Sequence, residues 1–274
     1  MPDTLTELYQ RIASLEQRVS AQERAAKASG WQLESIFNAH RFGGGSLMWY
    51  FNGHTRQVGG SSDAAPRWTQ NGINFSNYAC TTYGGPYITL DGAAEYLSRT
   101  DDPTWTESGS EELLVWGWCY ATTYAGTATI AAKFDTTADW RSWRLWYQLG
   151  IADFTFSVSA TGLAGSAVDA DSTYGGPVID TWYFVAGYFE PSTTLNIYVG
   201  ASTDASLAVD KVVAAVPALA HDNDSDLTIG AQGNPSIYWP GRIGIVGARV
   251  NVPSVAIDDH VNMLFQMTKE RYEE

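Results

Sequence analysis

The sequence predicts an all-β fold: an antiparallel two-sheet jelly-roll sandwich, preceded by a coiled-coil helix and closed by a short C-terminal helix. Three observations carry this. The chain holds 26 Gly, 11 Trp and 15 Tyr but only 17 % charged residues, a mixture that suits strands joined by tight turns. From residue 47 onward, strand-length apolar runs follow one another with turn signals between them and no strong helical pattern intervening, as in antiparallel sandwiches. The first 28 residues follow a heptad instead. The expected division is a coiled-coil helix over 1–29, a linker over 30–46 and the sandwich over 47–274.

Residues 4–28, TLTELYQRIASLEQRVSAQERAAKA, put Leu5, Ile12, Val19 and Ala26 at one core position and Leu8, Leu15 and Gln22 at the other. Thr4 or Thr6 can cap the start and Gly30 can stop the helix. Glu7, Gln10, Arg11, Gln17, Arg18 and Glu23 lie opposite the seam. So narrow a stripe marks a coiled coil; the alternative is a helix docked on its own domain. Three heptads alone are marginal, so partners are expected. β-branched Ile12 and Val19 with Leu at the other position suit two strands. RIASLE, residues 11–16, instead resembles the short trimerisation motif of coiled coils. The stem of Arg11 can cover a wider core, and its guanidinium can pair with Glu16 of a neighbouring chain. The expectation is a homotrimer joined through Leu5, Leu8, Arg11, Ile12, Leu15, Glu16 and Val19.

The joint FGGGS then leads into twelve expected strands: 47–52, 87–91, 94–98, 112–122, 127–134, 141–149, 152–160, 180–190, 194–200, 211–216, 226–231 and 241–249. The closing segment, PSVAIDDHVNMLFQMTKERYEE, places Val261, Leu264, Phe265 and Met267 at helical spacing, with Ser254 or Asp258 as the expected cap.

Five segments in order resemble laminin G-like domains of the concanavalin A-like lectin/glucanase superfamily. They are ITLDGAAEYLSRTDDPTW (88–105), EELLVWGWCY (111–120), TIAAKFDTTADWRSWRLWYQLGIADFTFSVSATG (129–162), DTWYFVAGYFEPSTTLNIYVGA (180–201) and LTIGAQGNPSIYWPGRIGIVGARV (227–250). The resemblance spans residues 46–270 and implies two curved antiparallel sheets. RSWRL followed by FTFSVSATG is similar to such domains in bacteriophage minor tail proteins.

Within DTTADWRSWRLWYQLG, Trp140, Trp143 and Trp146 lie three residues apart. Strand alternation puts Trp143, Leu145, Tyr147 and Leu149 on one apolar face and Ser142, Arg144, Trp146 and Gln148 on the other. Trp143 is expected in the core and Trp140 in the preceding turn. Trp146, between Arg144 and Gln148, is a candidate for stacking on a sugar while its neighbours bond hydroxyls; the alternative is packing against a neighbouring subunit or segment. Tyr238 and Trp239 are loop aromatics and further candidates, although Pro235 and Pro240 suit a rigid packed turn.

HDNDSDL gathers Asp222, Asn223, Asp224 and Asp226, hard oxygen donors of the kind calcium prefers. It lacks the Gly and distal Glu of an EF-hand, and a solvated acidic turn is the alternative. No other cofactor is expected. Closely spaced acids of the glucanase type are absent, as are His-Glu-x-x-His, G-x-S-x-G and phosphate-loop motifs. His40, His54, His221 and His260 do not fall at ligand spacing. The expectation is therefore not an enzyme. Cys80 and Cys119 are too few for a disulfide framework; they read as two buried thiols or one bridge.

A net charge of −14 repels phosphate backbones and anionic lipid. No run of about 18 apolar residues exists to insert into a membrane. The N-terminus lacks the charged and apolar regions of a secretory leader. Work outside a cell would then need another route, such as assembly into a particle released by lysis. Together these features lead to an expected trimeric virion appendage, a bacteriophage tail or head fibre or decoration protein assembled in the host cytoplasm and shown on the virion surface. Its partners would be other virion proteins and a host-surface glycan. The alternatives are a purely structural decoration protein without a ligand and a non-viral bacterial surface lectin.

Overall fold

The computed structural model describes residues 46–51, 55–58 and 69–70 as strand backbone, and residues 87–99, 101, 111–137, 139–233, 236–252 and 254–272. The expected coiled coil, with its seam residues Leu5 to Val19, and Cys80 lie outside the described residues.

Two antiparallel sheets make the sandwich. The larger has nine strands, ordered β13 (Val209–Val213), β12 (Thr194–Ala201), β11 (Trp182–Glu190), β6 (Leu113–Ala121), β15 (Pro240–Val250), β1 (Ser46–Phe51), β2 (Thr55–Val58) and β3 (Thr69–Gln70). The ninth, β4 (Ile88–Asp91), pairs with the first half of β15, through Pro240–Ile243, while β1 pairs with the second half. The smaller sheet has six strands, ordered β10 (Ala167–Asp171), β9 (Asp153–Ser159), β8 (Trp140–Gln148), β7 (Ala128–Asp135), β14 (Leu227–Ile229) and β5 (Leu97–Arg99).

The period-2 pattern predicts which side chains meet between the sheets. Val115, Cys119, Val185, Ile197 and Ile243 of the larger sheet face Ile130, Trp143, Leu145, Phe154, Phe156 and Val158 of the smaller one, all buried in one core. Gly187 permits the closest approach: a Cβ there would fall inside the Phe156 ring. Cys119 is a free thiol in this core, and desolvation pushes its ionisation well up.

A second apolar layer covers the outer face of the larger sheet. There α1 (Ile257–Thr268) buries Val261, Leu264 and Phe265. Trp118 stacks on Phe265 and on Tyr272, at centroid distances of 5.7 and 4.8 Å. Its indole N–H donates to Thr268 Oγ1 at 2.7 Å, and the Tyr272 hydroxyl accepts from the Ile245 N–H at 2.7 Å. No helix among the described residues is long and apolar enough to cross a membrane.

Three details depart from expectation. β10 was not expected, because AVDAD is short and its side chains are half-exposed. The segment expected as a strand over 94–98 begins later, at Leu97. Asp91 Oδ1 accepts from the N–H groups of Ala93, Ala94 and Glu95 at 2.8–3.0 Å, folding this stretch into a turn that carries the chain from one sheet to the other. Those bonds, the one from Ala94 foremost, hold the Asp91 carboxyl below the ordinary carboxylate range. Neither Ser254 nor Asp258 caps α1. The cap is Ala256 in the left-handed region, with no side-chain bond, while Asp258 accepts from the Tyr198 hydroxyl at 2.7 Å.

Candidate functional site

Two polar turns at the end of the smaller sheet build a cleft of about 150 Å³ lined by Tyr96, Ser98, Asp135, Trp140, Asp224, Ser225, Asp226, Thr228 and Gly233. The β7–β8 turn supplies Asp135 and Trp140. Asp135 Oδ1 accepts from both the N–H and the hydroxyl of Thr137, at 2.8 and 2.7 Å, so the carboxylate is fixed by its own turn. Arg141 fastens the same turn: its guanidinium donates to Asp139 Oδ1 (2.9 Å), Gly162 O (2.7 Å) and Thr136 O (3.0 Å). Gly162 is required there, because a Cβ would collide with the Asp139 carbonyl and His221. The result is a Trp140 side chain held at the strand end and 39 % exposed.

The second turn, residues 221–226, hangs on a buried cation. Lys133 is fully enclosed. Its ammonium donates to Asn223 O at 2.6 Å and lies 3.2 Å from Asp101 and 3.7 Å from Asp222. Asn223 Oδ1 in turn accepts from the N–H and hydroxyl of Ser225. This arrangement directs Asp224 and Asp226 to the cleft. Burial, and then the negative charges of Asp101 and Asp135, raise the Asp226 carboxyl above its ordinary value. On the other wall, Tyr96 lies 6.1 Å from the Tyr238 ring. An exposed indole beside fixed carboxylates and hydroxyls offers a stacking plane and hydrogen-bond acceptors together.

The residues singled out in the sequence are placed differently. Trp146 is only 6 % exposed. The Arg144 guanidinium lies 3.4 Å over its ring, and the indole N–H donates to Ser157 Oγ at 2.9 Å. Arg144 also reaches Gln232 Oε1 and Ser157 Oγ, and burial lowers it to about 10. Gln148 accepts from Thr155. These three pave the outer face of the smaller sheet, with the Trp146 ring already covered by a cation. Trp239 is fully buried in the inter-sheet core, its N–H donating to Tyr120 O at 3.2 Å. It is a packing residue rather than a loop platform. Tyr238 alone of that pair stands near the cleft.

The donor set expected for calcium does not converge. Asp222 faces Lys133, Asn223 is engaged in its own turn, and Asp224 and Asp226 line the cleft. No group of three acidic, His or Cys side chains suited to a metal occurs among the described residues. The Lys133 ammonium ties the Asn223 carbonyl of this loop to Asp101 and Asp222.

Trp140 was expected only in the turn before the strand, whereas it is the first residue of β8; Tyr96 and Asp135 were not singled out in the sequence. The available signal was a Trp at the mouth of a tight turn, at the boundary where the inward-outward rule stops applying. Asp224 and Asp226 were found, but as calcium donors.

No protein-family model and no curated protein matches the chain. Solved structures do match in fold. The binding domain of Paraclostridial Mosquitocidal Protein 1 superposes with a TM-score of 0.55 at 10 % identity, covering 80 % of this chain and 51 % of that one. The Botulinum neurotoxin serotype D ligand binding domain, in complex with N-acetylneuraminic acid, gives 0.52 at 10 % identity, covering 86 % and 52 %. An arabinofuranosidase complexed with arabinofuranosyl-alpha-1,2-xylobiose gives 0.54 at 11 % identity, covering 84 % and 60 %. The chain thus spans about half to three-fifths of the length of these structures. At such identities the likeness is one of fold: the protein has a jelly-roll, lectin-like sandwich.

Proposed function

We propose that the sandwich is a saccharide-binding module whose site is the cleft between the β7–β8 turn and the 221–226 loop. One observation carries this reading: the half-open indole of Trp140 shares a small cleft with Tyr96 and the carboxylates of Asp135, Asp224 and Asp226. Sugar rings present an apolar face and a rim of hydroxyls, and this cleft answers both. Two fold neighbours solved in complex with sugars support the reading without naming the ligand.

The wider proposal is a multivalent appendage of a virus particle, a bacteriophage fibre or decoration protein. It rests on the trimer-type heptad of residues 4–28 and on the tail-protein resemblance of residues 141–162. Three weak sites on one trimer would raise avidity without any new contact.

Binding to a glycan array by the intact protein, and its loss in Trp140→Ala with the fold retained, is the deciding test. Array binding that survives this substitution would remove the cleft from the proposal. Glycoside cleavage is the second reading, because an acid of raised proton affinity beside other carboxylates is a familiar arrangement for hydrolysis. On our reading the protein releases no reducing ends from a polysaccharide panel; release abolished by Asp226→Asn would reassign it as a hydrolase.

A further inference from the structure

We infer that the cleft prefers a saccharide unit carrying a free amine and refuses one carrying a carboxylate. The inference rests on the saccharide-binding reading and deepens it. The site itself is defined by the cleft and its open indole; the charges around it set the selectivity. Asp135, Asp224 and Asp226 all line this small volume, and among the described residues no Lys, Arg or His does.

The nearby cations are committed elsewhere. Lys133 is enclosed and engaged with Asp101, Asp222 and the Asn223 carbonyl. Arg141 is tied to Asp139, Thr136 and Gly162. A carboxylated sugar entering the cleft would meet three like charges and no counter-ion. An ammonium would instead find several acceptors, each bond charge-assisted and therefore stronger than its neutral counterpart. The indole adds attraction for a cation above its face. Burial raises the proton affinity of Asp226, the charges of Asp101 and Asp135 add to it, and a bound cation would offset the repulsion from Asp135. The net charge of −14 extends the same sign of field outward.

The test is calorimetric titration of the full chain with three sets of short oligomers: glucosamine, N-acetylglucosamine and galacturonate. The expected result is binding of the glucosamine oligomers roughly tenfold or more tighter than the N-acetylated ones, with no binding of galacturonate. This preference should shrink as salt is raised, because screening weakens exposed charge interactions. N-acetylation changes size as well as charge, so the double variant Asp224→Asn/Asp226→Asn is the decisive partner. It should lose the preference, its affinity for the glucosamine oligomers falling by a larger factor than that for the N-acetylated ones, while its circular dichroism stays unchanged.

Equal affinity for amine and N-acetyl oligomers, galacturonate binding, or a preference that persists in the double variant would each overturn the inference. If none of the three binds while an array shows Trp140-dependent binding to another sugar, the inference falls and the saccharide-binding reading stands. If no sugar binds at all, both fall.

Discussion

Trp143 and Trp146 sit three apart on one strand and so face opposite sides of the sheet, while a register shift separates them from Trp140 at the strand's start. Trp143 enters the inter-sheet core, Trp146 lies under Arg144 on the outer face, and only Trp140 meets solvent. Their substitutions should therefore separate cleanly. Trp140→Ala is expected to weaken glycan binding tenfold or more with little change in melting temperature. Trp146→Ala should lose about 3 kcal/mol of stability, the scale for truncating a buried Trp, and should leave the sugar site intact. Denaturant titration and glycan binding on both variants check the pair. The opposite pattern would restore Trp146 as the platform. Lys133 shows the same division between role and position. Lys133→Met would leave Asp101 and Asp222 without their cation, and one-sided removal of a buried pair costs about 3–5 kcal/mol. Thermal melting reads the loss, and sugar binding should fall with it because Asp224 and Asp226 hang on that loop.

Helix α1 is the element whose docking gives the larger sheet its second buried face. It lies over Trp118 and adjoins Phe184 through Phe265. His260, on this helix, is held below its ordinary value of 6.5 by burial and by the charge of Arg249. Its folded value is depressed, so the unfolded chain binds the proton first as pH falls. Stability is then lost from about 6.5 downward. His260→Gln should flatten that part of the stability profile, as measured by denaturant midpoints at pH 7.5 and 5.5. An unchanged slope would assign the pH dependence elsewhere.

For the assembled protein, the heptad of residues 4–28 predicts a trimer. Sedimentation or light scattering of the full chain, beside a chain starting at Gly45, should give trimer and monomer respectively. Two monomers would remove the appendage proposal and leave a lectin-like domain. The contrast between Cys119 and Asp222 shows why some features were readable in advance and others were not. Cys119 sits in a continuous apolar run, Leu113–Ala121, which predicts burial on both faces. The role of Asp222 depends on Lys133, 89 positions away in sequence, and nothing local marks that partnership.

Period-2 alternation, helical spacing, turn residues and composition were enough to establish most of the strands, the two-sheet sandwich, the closing helix and the core position of Trp143, because these follow from local geometry and from excluding apolar surface from water. Three matters were left to tertiary structure. One was which of the outer-face aromatics stays open, since Arg144 covers Trp146 while Trp140 protrudes at a strand end. Another was the internal ammonium on which the acidic loop hangs. The last was which acids share a cleft. Each depends on distances between residues far apart in the chain, and a pattern confined to neighbours carries no information about such distances.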